Sequence, residues 1–165
     1  MTDIITVLAN LALTLSFVVA LIFGIVQVRA AARDRRERLA LDALRNFQSR
    51  EFAELLHFVT SHKLPQSRAE MDALPEEEQI TFIQLSQTME ALGLQVAGNL
   101  IDIGLIDRTL GSFVATAWEK YKPVITNMRV TTSDPYLGEY FQWLAERIEK
   151  EMRENPREPF YKNSK

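Results

Sequence analysis

The stretch that decides the fold is residues 4–28, which read IITVLANLALTLSFVVALIFGIVQV. These twenty-five residues carry no charge, and most of them are Leu, Ile, Val, Ala or Phe. At about 1.5 Å of rise per helical residue the run is roughly 37 Å long, which exceeds the ~30 Å hydrocarbon core of a bilayer. The sequence therefore predicts a transmembrane helix in an anchor segment that covers residues 1–28.

A signal peptide and a buried core helix are the two alternatives for this apolar run. A signal peptide begins with basic residues and has an apolar region of about 7–15 residues. Here the acidic Asp3 precedes a longer run, and Arg29 stands where cleavage would have to occur. A helix that is apolar on every side needs protein around it, and the later amphipathic helices can cover one another. We therefore favour a membrane span.

Charge is distributed unevenly along the rest of the chain. Residues 29–50 contain seven arginines and three acidic residues, a net charge of +4, whereas residues 51–165 contain twelve basic and eighteen acidic residues, a net charge of −6. Arginine directly after a membrane span marks its cytoplasmic side. We therefore expect a single-pass protein of the cell inner (cytoplasmic) membrane, with the N-terminus outside and the C-terminal domain in the cytoplasm.

The arginines after the span are expected to lie at the membrane surface. Basic residues beside a membrane are attracted to anionic headgroups, which predicts membrane lipid as a partner and leaves a salt-sensitive lipid-binding role open. The acidic remainder argues against nucleic-acid binding, because phosphate contacts need clustered cationic charge. The predicted membrane-surface residues, which we call the arginine collar, are Arg29, Arg33, Arg35, Arg36 and Arg38.

Small side chains recur every four residues along the predicted span. Such side chains let two helix backbones approach closely, and an amide in hydrocarbon seeks a hydrogen-bond partner on another helix. The pattern predicts association of the span with itself or with another membrane protein. The alternative is ordinary membrane-helix composition, with Asn10 close enough to the surface to reach water. The predicted association residues are Asn10, Ala12, Ser16, Ala20 and Gly24.

Beyond the span no segment alternates with a period of two, and we predict an all-α fold. The anchor is expected to continue as a basic juxtamembrane helix over residues 29–48, followed by a cytoplasmic bundle of about four to five helices over residues 49–154. A flexible tail is expected over residues 155–165. The residues expected to be buried or to form a core face are Phe52, Leu55, Leu56, Val59, Ile80, Ile83, Leu85, Met89, Leu92 and Val96. Other apolar residues of the predicted helices are Leu39, Leu41, Leu44, Phe47, Leu110, Phe113, Val114, Trp118, Tyr136, Leu137, Tyr140, Phe141, Leu144 and Ile148.

Short side chains, proline and glycine predict where the bundle helices begin and end. Serine, threonine and aspartate accept hydrogen bonds from the first free N–H groups of a helix, and proline suits its first position. The predicted N-caps are Ser49, Ser67, Asp107 and Asp134, with Pro75 and Pro135 at first helical positions and residues 131–134 as a loop. We expect close helix contacts at Gly93, Gly98 and Gly104, a break near Gly104, and a kink or helix end at Pro123.

Few residues in the sequence could perform chemistry. The absence of cysteine excludes disulfides, thiolate metal sites and cysteine nucleophiles. Glu54 and His57 lie one turn apart on a helix, but a di-iron bundle uses two such pairs and two further glutamates. No nucleophile elbow, phosphate-binding glycine loop or dinucleotide motif is present. We therefore predict no catalytic residue, metal or cofactor, with Glu54 and His57 as weak metal candidates.

Four polar residues fall in or beside apolar helix faces. One interpretation is a polar pocket in which an arginine binds an anion. The other interpretation, which we favour, is a set of half-buried ion pairs that fix the helix register. The residues are Glu90, Asp102, Arg129 and Arg147.

Several short stretches follow one another in a distinctive order. They are residues 41–45 after the basic run, 50–52, 85–93, 100–107, 121–123 and 140–147, together with Trp118 and Arg129. In this order they resemble an uncharacterised bacterial family of short single-pass membrane proteins with a helical cytoplasmic domain, known as a domain of unknown function. The resemblance covers most of the chain and implies fold and topology, but no activity. Arg50 and Gln142 depart from the residues usual in that family.

From these observations we expect a non-catalytic interaction or assembly module at the membrane. It would act as a homo-oligomer or as an accessory subunit of a larger membrane complex, because its span offers an association face. The alternative is a sensor or enzyme whose bundle binds a small ligand or a metal through Glu54, His57 or Arg129.

Overall fold

A computed structural model describes residues 2–162, and every regular element in that range is helical. The predicted all-α fold, with a long apolar N-terminal helix and a helical bundle, is confirmed. Met1 and residues 163–165, the end of the predicted flexible tail, lie outside the described residues. The helices are α1 (Thr2–Phe47), α2 (Arg50–Ser61), α3 (Arg68–Asp72), α4 (Glu76–Ala97), α5 (Ile103–Thr132) and α6 (Glu139–Glu154), followed by a 3₁₀ turn at Phe160–Lys162.

The chain divides between Leu39 and Ala40 into two compact units. The first unit contains most of α1, and the second contains the last turns of α1 together with α2–α6. The division falls inside the predicted juxtamembrane segment 29–48, so residues 40–47 belong with the bundle.

In the first unit, α1 is long and apolar enough to cross a membrane. The mean hydropathy of its most apolar 18 residues is 2.5, and none of that stretch is buried in the structure. Large apolar side chains from Ile4 to Val28 are exposed accordingly, among them Phe17 at 69% and Phe23 at 64%. A helix of this composition is unfavourable in water, because each such side chain gains roughly 1.5–3 kcal/mol on leaving it.

In the second unit, α6 packs against both α4 and α5, and aromatic rings fill the centre. The Phe82 ring of α4 stacks on Tyr121 of α5 with centroids 4.2 Å apart, and Phe141 of α6 meets Tyr121 edge-on at 5.7 Å. Trp118 contacts Phe141 at 5.2 Å. These large rings bury much apolar area in one place and fix the three helices against each other.

The two predicted serine caps are confirmed. The Ser49 hydroxyl accepts a hydrogen bond from the N–H of Phe52 at 3.1 Å, and the Ser67 hydroxyl accepts one from the N–H of Glu70 at 3.3 Å. Pro75 stands at the N-cap of α4 and not, as predicted, at its first helical position. These helix starts depend on residues three apart, which the sequence displays directly.

The predicted core face of α4 is wrong at its first turns. Ile80 and Ile83 are 49% and 43% exposed, whereas Phe82 is buried. Phe82 occupies the core position because its ring stacks on Tyr121. Leu56, which was also expected in the core, is only half-buried, whereas Phe58, which was not expected there, is buried. Leu41 and Tyr136, which are apolar residues of the predicted helices, are exposed.

The boundary between α4 and α5 differs from the prediction. The break lies at residues 98–102, and Asp102 is the N-cap of α5. Asp107 lies within α5 and is buried, so its predicted role as a cap is wrong. Gly104 lies in the first turn of α5 and not at a break. The helix continues through Pro123 to Thr132, so the proline does not end it.

The start of α6 also differs from the prediction. Neither Asp134 nor Pro135 begins the helix, which starts at Glu139 after Gly138. Gly138 has φ +67°, in the left-handed region that glycine adopts without strain. Asp134 instead accepts a hydrogen bond from the N–H of Tyr136 at 3.0 Å, which forms a turn before the helix.

Candidate functional site

The predicted association face of α1 is open. Asn10, Ala12, Ser16, Ala20 and Gly24 are all exposed, and a Cβ atom added at Gly24 would meet no heavy atom within 4 Å. The Thr14 hydroxyl donates to the main-chain carbonyl of Asn10 at 2.8 Å. A second helix could therefore approach this face closely.

A shallow groove of about 450 Å³ marks the C-terminal end of this face. The groove is open where the small residues Ala20 and Gly24 line it, and Arg29 of the arginine collar lies at one end. The remaining lining is aliphatic and comes from Leu21, Ile25 and Val28. A molecule with an apolar part and a polar end would fit this groove, with its polar end beside Arg29.

All five side chains of the arginine collar are exposed. Arg33 lies 3.6 Å from the Glu37 carboxylate, but both side chains are more than half exposed, so the pair contributes little. Arg35 and Arg38 lie beside Asp34 around a second shallow depression of the helix surface. The collar thus presents its charge on several sides of α1.

The four residues of the predicted polar pocket do not come together. Asp102 accepts a hydrogen bond from the N–H of Leu105 at 3.0 Å and acts as the cap of α5. Arg147 is exposed on α6. Glu90 and Arg129 are both half-buried, and both bind the start of α6.

Glu90 of α4 caps α6 from outside that helix. Its two carboxylate oxygens accept hydrogen bonds from the N–H groups of Tyr140 at 3.2 Å and Phe141 at 2.8 Å. A carboxylate is favourable here because the N-terminal end of a helix has free N–H groups and partial positive charge. Gly93, one turn later, makes the close approach possible, because a Cβ there would lie 2.2 Å from the Tyr140 oxygen. The predicted close contact at Gly93 is confirmed.

Arg129 of α5 holds the same segment from the other neighbouring helix. Its Nε donates to the carbonyl of Leu137 at 2.8 Å, and its Nη1 donates to the Gln142 side chain at 2.7 Å. Its Nη2 is buried without a hydrogen-bond acceptor. The planar guanidinium therefore holds its two donors in a fixed geometry and links the turn before α6 to the first turn of α6.

An ion pair that the sequence did not indicate joins α5 to the segment after α6. The Asp107 carboxylate is 4% exposed and lies 3.0 Å from Nε of Arg157, whose Nη2 also donates to the Asp107 main-chain oxygen at 3.0 Å. Gly111 leaves room for the carboxylate, since a Cβ there would lie 2.7 Å from Asp107 Oδ1. The basic residue stands fifty positions later in a stretch predicted to be a flexible tail, so no local signal could have revealed the pair.

The weak metal candidates Glu54 and His57 are both exposed on α2. The Glu54 carboxylate accepts a hydrogen bond from Arg50 Nε at 2.8 Å. Among the residues that the structure describes, no three His, Cys, Asp or Glu side chains form a cluster that could hold a metal ion.

Tyr121 is the polar side chain at the centre of the aromatic core. Its hydroxyl donates to the main-chain carbonyl of Phe82 at 3.1 Å. Burial raises the pKa of the Tyr121 hydroxyl well above its ordinary value, because the phenolate would lose its hydration. The group is therefore neutral at physiological pH and acts as a hydrogen-bond donor between α5 and α4.

Comparison with known proteins gives one match. No curated protein and no solved structure matches the chain. A family model described as Domain of unknown function (DUF4760) matches residues 14–148, from the middle of the apolar run to the last buried residue of α6. This range includes the cap of α6 at Glu90, the Arg129 contacts and the aromatic core. The chain belongs to the DUF4760 family.

Proposed function

We propose that the chain is a single-pass, membrane-anchored and non-catalytic assembly module of the bacterial inner membrane. The observation that carries this proposal is the apolar run of α1, which nothing in the described chain covers. A run of this length and composition is stable in a hydrocarbon environment and costly in water. Lipid and other membrane-embedded helices are the surroundings that satisfy it.

Two features favour a membrane span over the alternatives. A core helix of a water-soluble protein is mostly buried, whereas none of the apolar stretch of α1 is buried. A cleaved signal peptide has a shorter apolar region than this one, with small residues at a cleavage site where this chain has Arg29.

The arginine collar supports an orientation with the bundle in the cytoplasm. Basic residues beside a span remain on the cytoplasmic side during insertion. The exposed collar would also attract anionic headgroups, and this attraction would weaken as the salt concentration rises.

The polar side chains of the bundle support a scaffold role. Glu90, Asp102 and Arg129 hydrogen-bond to main-chain groups at helix ends, and Tyr121 does so in the core. Contacts of this kind fix the helices relative to each other. A bundle with fixed helices presents a constant surface to a partner, which is what an assembly module requires.

Crosslinking in native membranes tests this proposal. Membranes that contain the full-length chain are washed with alkaline carbonate and then treated with a short amine-reactive crosslinker. We expect the chain to stay in the membrane fraction and to form a discrete product larger than 18.9 kDa, either a homo-oligomer or an adduct with one membrane protein. Extraction by carbonate, or recovery of monomer alone, would overturn the proposal.

Single cysteines test the orientation, because the natural chain contains none. Asp3→Cys and Glu119→Cys are made separately and exposed to a membrane-impermeant maleimide in intact cells. We expect labelling at position 3 only, and labelling at position 119 once the membrane is opened. Labelling of Glu119→Cys in intact cells would reverse the proposed topology.

A further inference from the structure

Helix α4 presents one narrow strip of its surface to solvent. From residue 79 onward its exposed positions recur at intervals of three and four, so they fall within about 100° of the helix circumference. The buried residues of the helix, among them Phe82, Leu85 and Met89, face the bundle. We call these residues the α4 strip: Ile80, Ile83, Gln84, Gln87, Ala91 and Leu94.

The α4 strip has no charged residue, although residues 51–165 carry a net charge of −6. Residues 79–99 contain a single ionisable side chain, Glu90, and both of its oxygens accept main-chain N–H groups of α6. Surface helices of soluble proteins usually place charged residues on the exposed face. Depletion of charge is instead typical of the buried centre of a protein interface.

Large apolar side chains project from the strip. Leu94 is 52% exposed, and Ile80 and Ile83 are exposed to a similar degree. Along one edge, Gln87, Ala91 and Leu94 face Leu137 and Tyr140 across a groove of about 430 Å³. The groove has room for an apolar side chain that comes from outside the chain.

We propose that the α4 strip binds the α4 strip of a second copy of this chain. In a two-fold dimer a surface patch meets an identical patch, so a patch with a net charge of one sign is repelled by its copy. A strip without charge avoids this repulsion, whereas the acidic surface elsewhere does not. Only two side chains of the strip are polar, and both are glutamines.

The glutamines favour an identical partner for a further reason. A primary amide has both a donor and an acceptor. Gln84 or Gln87 can therefore pair with the amide of the facing copy and leave neither group unsatisfied. Leu94 lies beside the groove and would enter the groove of the facing copy. The contact thus buries apolar surface, and the glutamine amides form hydrogen bonds with each other across it.

This inference rests on the proposed function, because it names the partner and surface of the assembly module. Anchoring in a membrane helps such a contact, since it confines the copies to two dimensions and raises their effective concentration. The small residues of α1 are a separate association face, so the two contacts can be tested independently.

Disulfide crosslinking of single-cysteine variants tests the contact in membranes. Gln87→Cys is compared with Thr126→Cys, an exposed position of α5. Under mild oxidation we expect a disulfide-linked dimer from Gln87→Cys and at least tenfold less from Thr126→Cys. Equal yields from both variants, or no dimer from Gln87→Cys, would overturn the inference.

Charge substitutions provide the second test. Gln87→Glu and Gln87→Lys are each introduced at full length beside Gln84→Cys, which reports the strip contact through its disulfide. Each is expected to lose at least nine-tenths of the disulfide-linked dimer, because like charges would meet at the contact. Co-expression of the two variants is expected to restore a mixed dimer. Thr116→Glu, at an exposed position of α5, serves as the control and should dimerise normally. Unchanged dimerisation of Gln87→Glu, with the fold verified by circular dichroism, would contradict the inference.

The failure of this inference differs from the failure of the proposed function. If Gly24→Cys crosslinks between copies but Gln87→Cys does not, the chain assembles through α1 and the α4 strip is not the contact. If Gln87→Cys crosslinks only to another protein, the module is an accessory subunit and the inference is wrong. If no position crosslinks and the chain stays monomeric, both are wrong.

Discussion

Asp107 and Arg157 form an ion pair in which one partner is buried and the other is not. The Asp107 side chain is 4% exposed, whereas that of Arg157 is 46% exposed. Loss of the arginine leaves a buried carboxylate without a counter-charge. Loss of the carboxylate charge leaves a guanidinium that water can solvate. The two substitutions should therefore have unequal effects on stability.

We predict that Arg157→Ala lowers the free energy of unfolding by about 2 kcal/mol and that Asp107→Asn lowers it by less, because the amide carries no charge. Thermal unfolding of the full-length variants in one detergent measures the difference. Arg153→Ala is the control. It removes an ion pair with Glu149 on the protein surface and should have little effect. A larger loss for Asp107→Asn would contradict the account of this pair.

Tyr121 predicts a stability loss at alkaline pH. Its folded-state pKa lies above the unfolded value of about 10, so its contribution is complete below pH 10 and declines as pH rises further. We expect the stability of the natural chain to fall more steeply above pH 10 than that of Tyr121→Phe, by up to about 1.4 kcal/mol per pH unit. Parallel alkaline slopes for the two proteins would show that the hydroxyl ionises freely in the folded state.

At the scale of helices, the contact between α4 and α6 depends on Gly93. A Cβ at this position would overlap the Tyr140 main-chain oxygen, and a backbone atom cannot move aside alone. We predict that Gly93→Ala destabilises the bundle by about 2–3 kcal/mol. Ser112→Ala, at an exposed position of α5 outside the α4 strip, is the control. Thermal unfolding that leaves Gly93→Ala within 1 °C of the natural chain would contradict the close packing of these helices.

The central part of α1 should tolerate no charge if it spans a membrane. An arginine near the bilayer centre costs about 2.5–3.5 kcal/mol of insertion free energy. We predict that Leu15→Arg markedly reduces the carbonate-resistant fraction, while Ala31→Arg, within the collar region, leaves it unchanged. Equal membrane retention of the two variants would show that residues 4–28 are not in the hydrocarbon.

The helical fold and the starts of α2 and α3 could be predicted from sequence, because they depend on residues one turn apart. Ser49 and Ser67 are examples, since each accepts a hydrogen bond from the residue three positions later. The buried face of α4 could not be predicted in the same way. Ile80, Ile83 and Phe82 are all apolar, and the choice among them depends on Tyr121, thirty-nine residues after Phe82.

The candidate site was only partly visible in the sequence for the same reason. Glu90 and Arg129 could be recognised as polar residues beside apolar faces, but their partners are main-chain groups at the start of α6. Main-chain groups are the same in almost every residue, so the sequence pattern cannot show which of them a side chain will bind. Asp107 and Asp102 both resemble helix caps locally, and only the position of Arg157 and the break at residues 98–102 distinguish them.

At the scale of the whole molecule, the chain combines an apolar helix long enough to cross a membrane, the arginine collar and an acidic helical bundle, and it belongs to the DUF4760 family. The bundle fixes its helices with hydrogen bonds to main-chain groups and leaves one uncharged helix strip exposed. This combination is the basis of our proposal that the chain holds partners at a membrane. We therefore expect the chain to work as part of an assembly.

The most direct test is the mass of the intact particle. The full-length chain is extracted from its native membrane with surrounding lipid, and the particle is weighed by native mass spectrometry. We predict a defined multiple of 18.9 kDa, or one copy with a stoichiometric membrane partner. A single chain that carries only lipid would contradict the account.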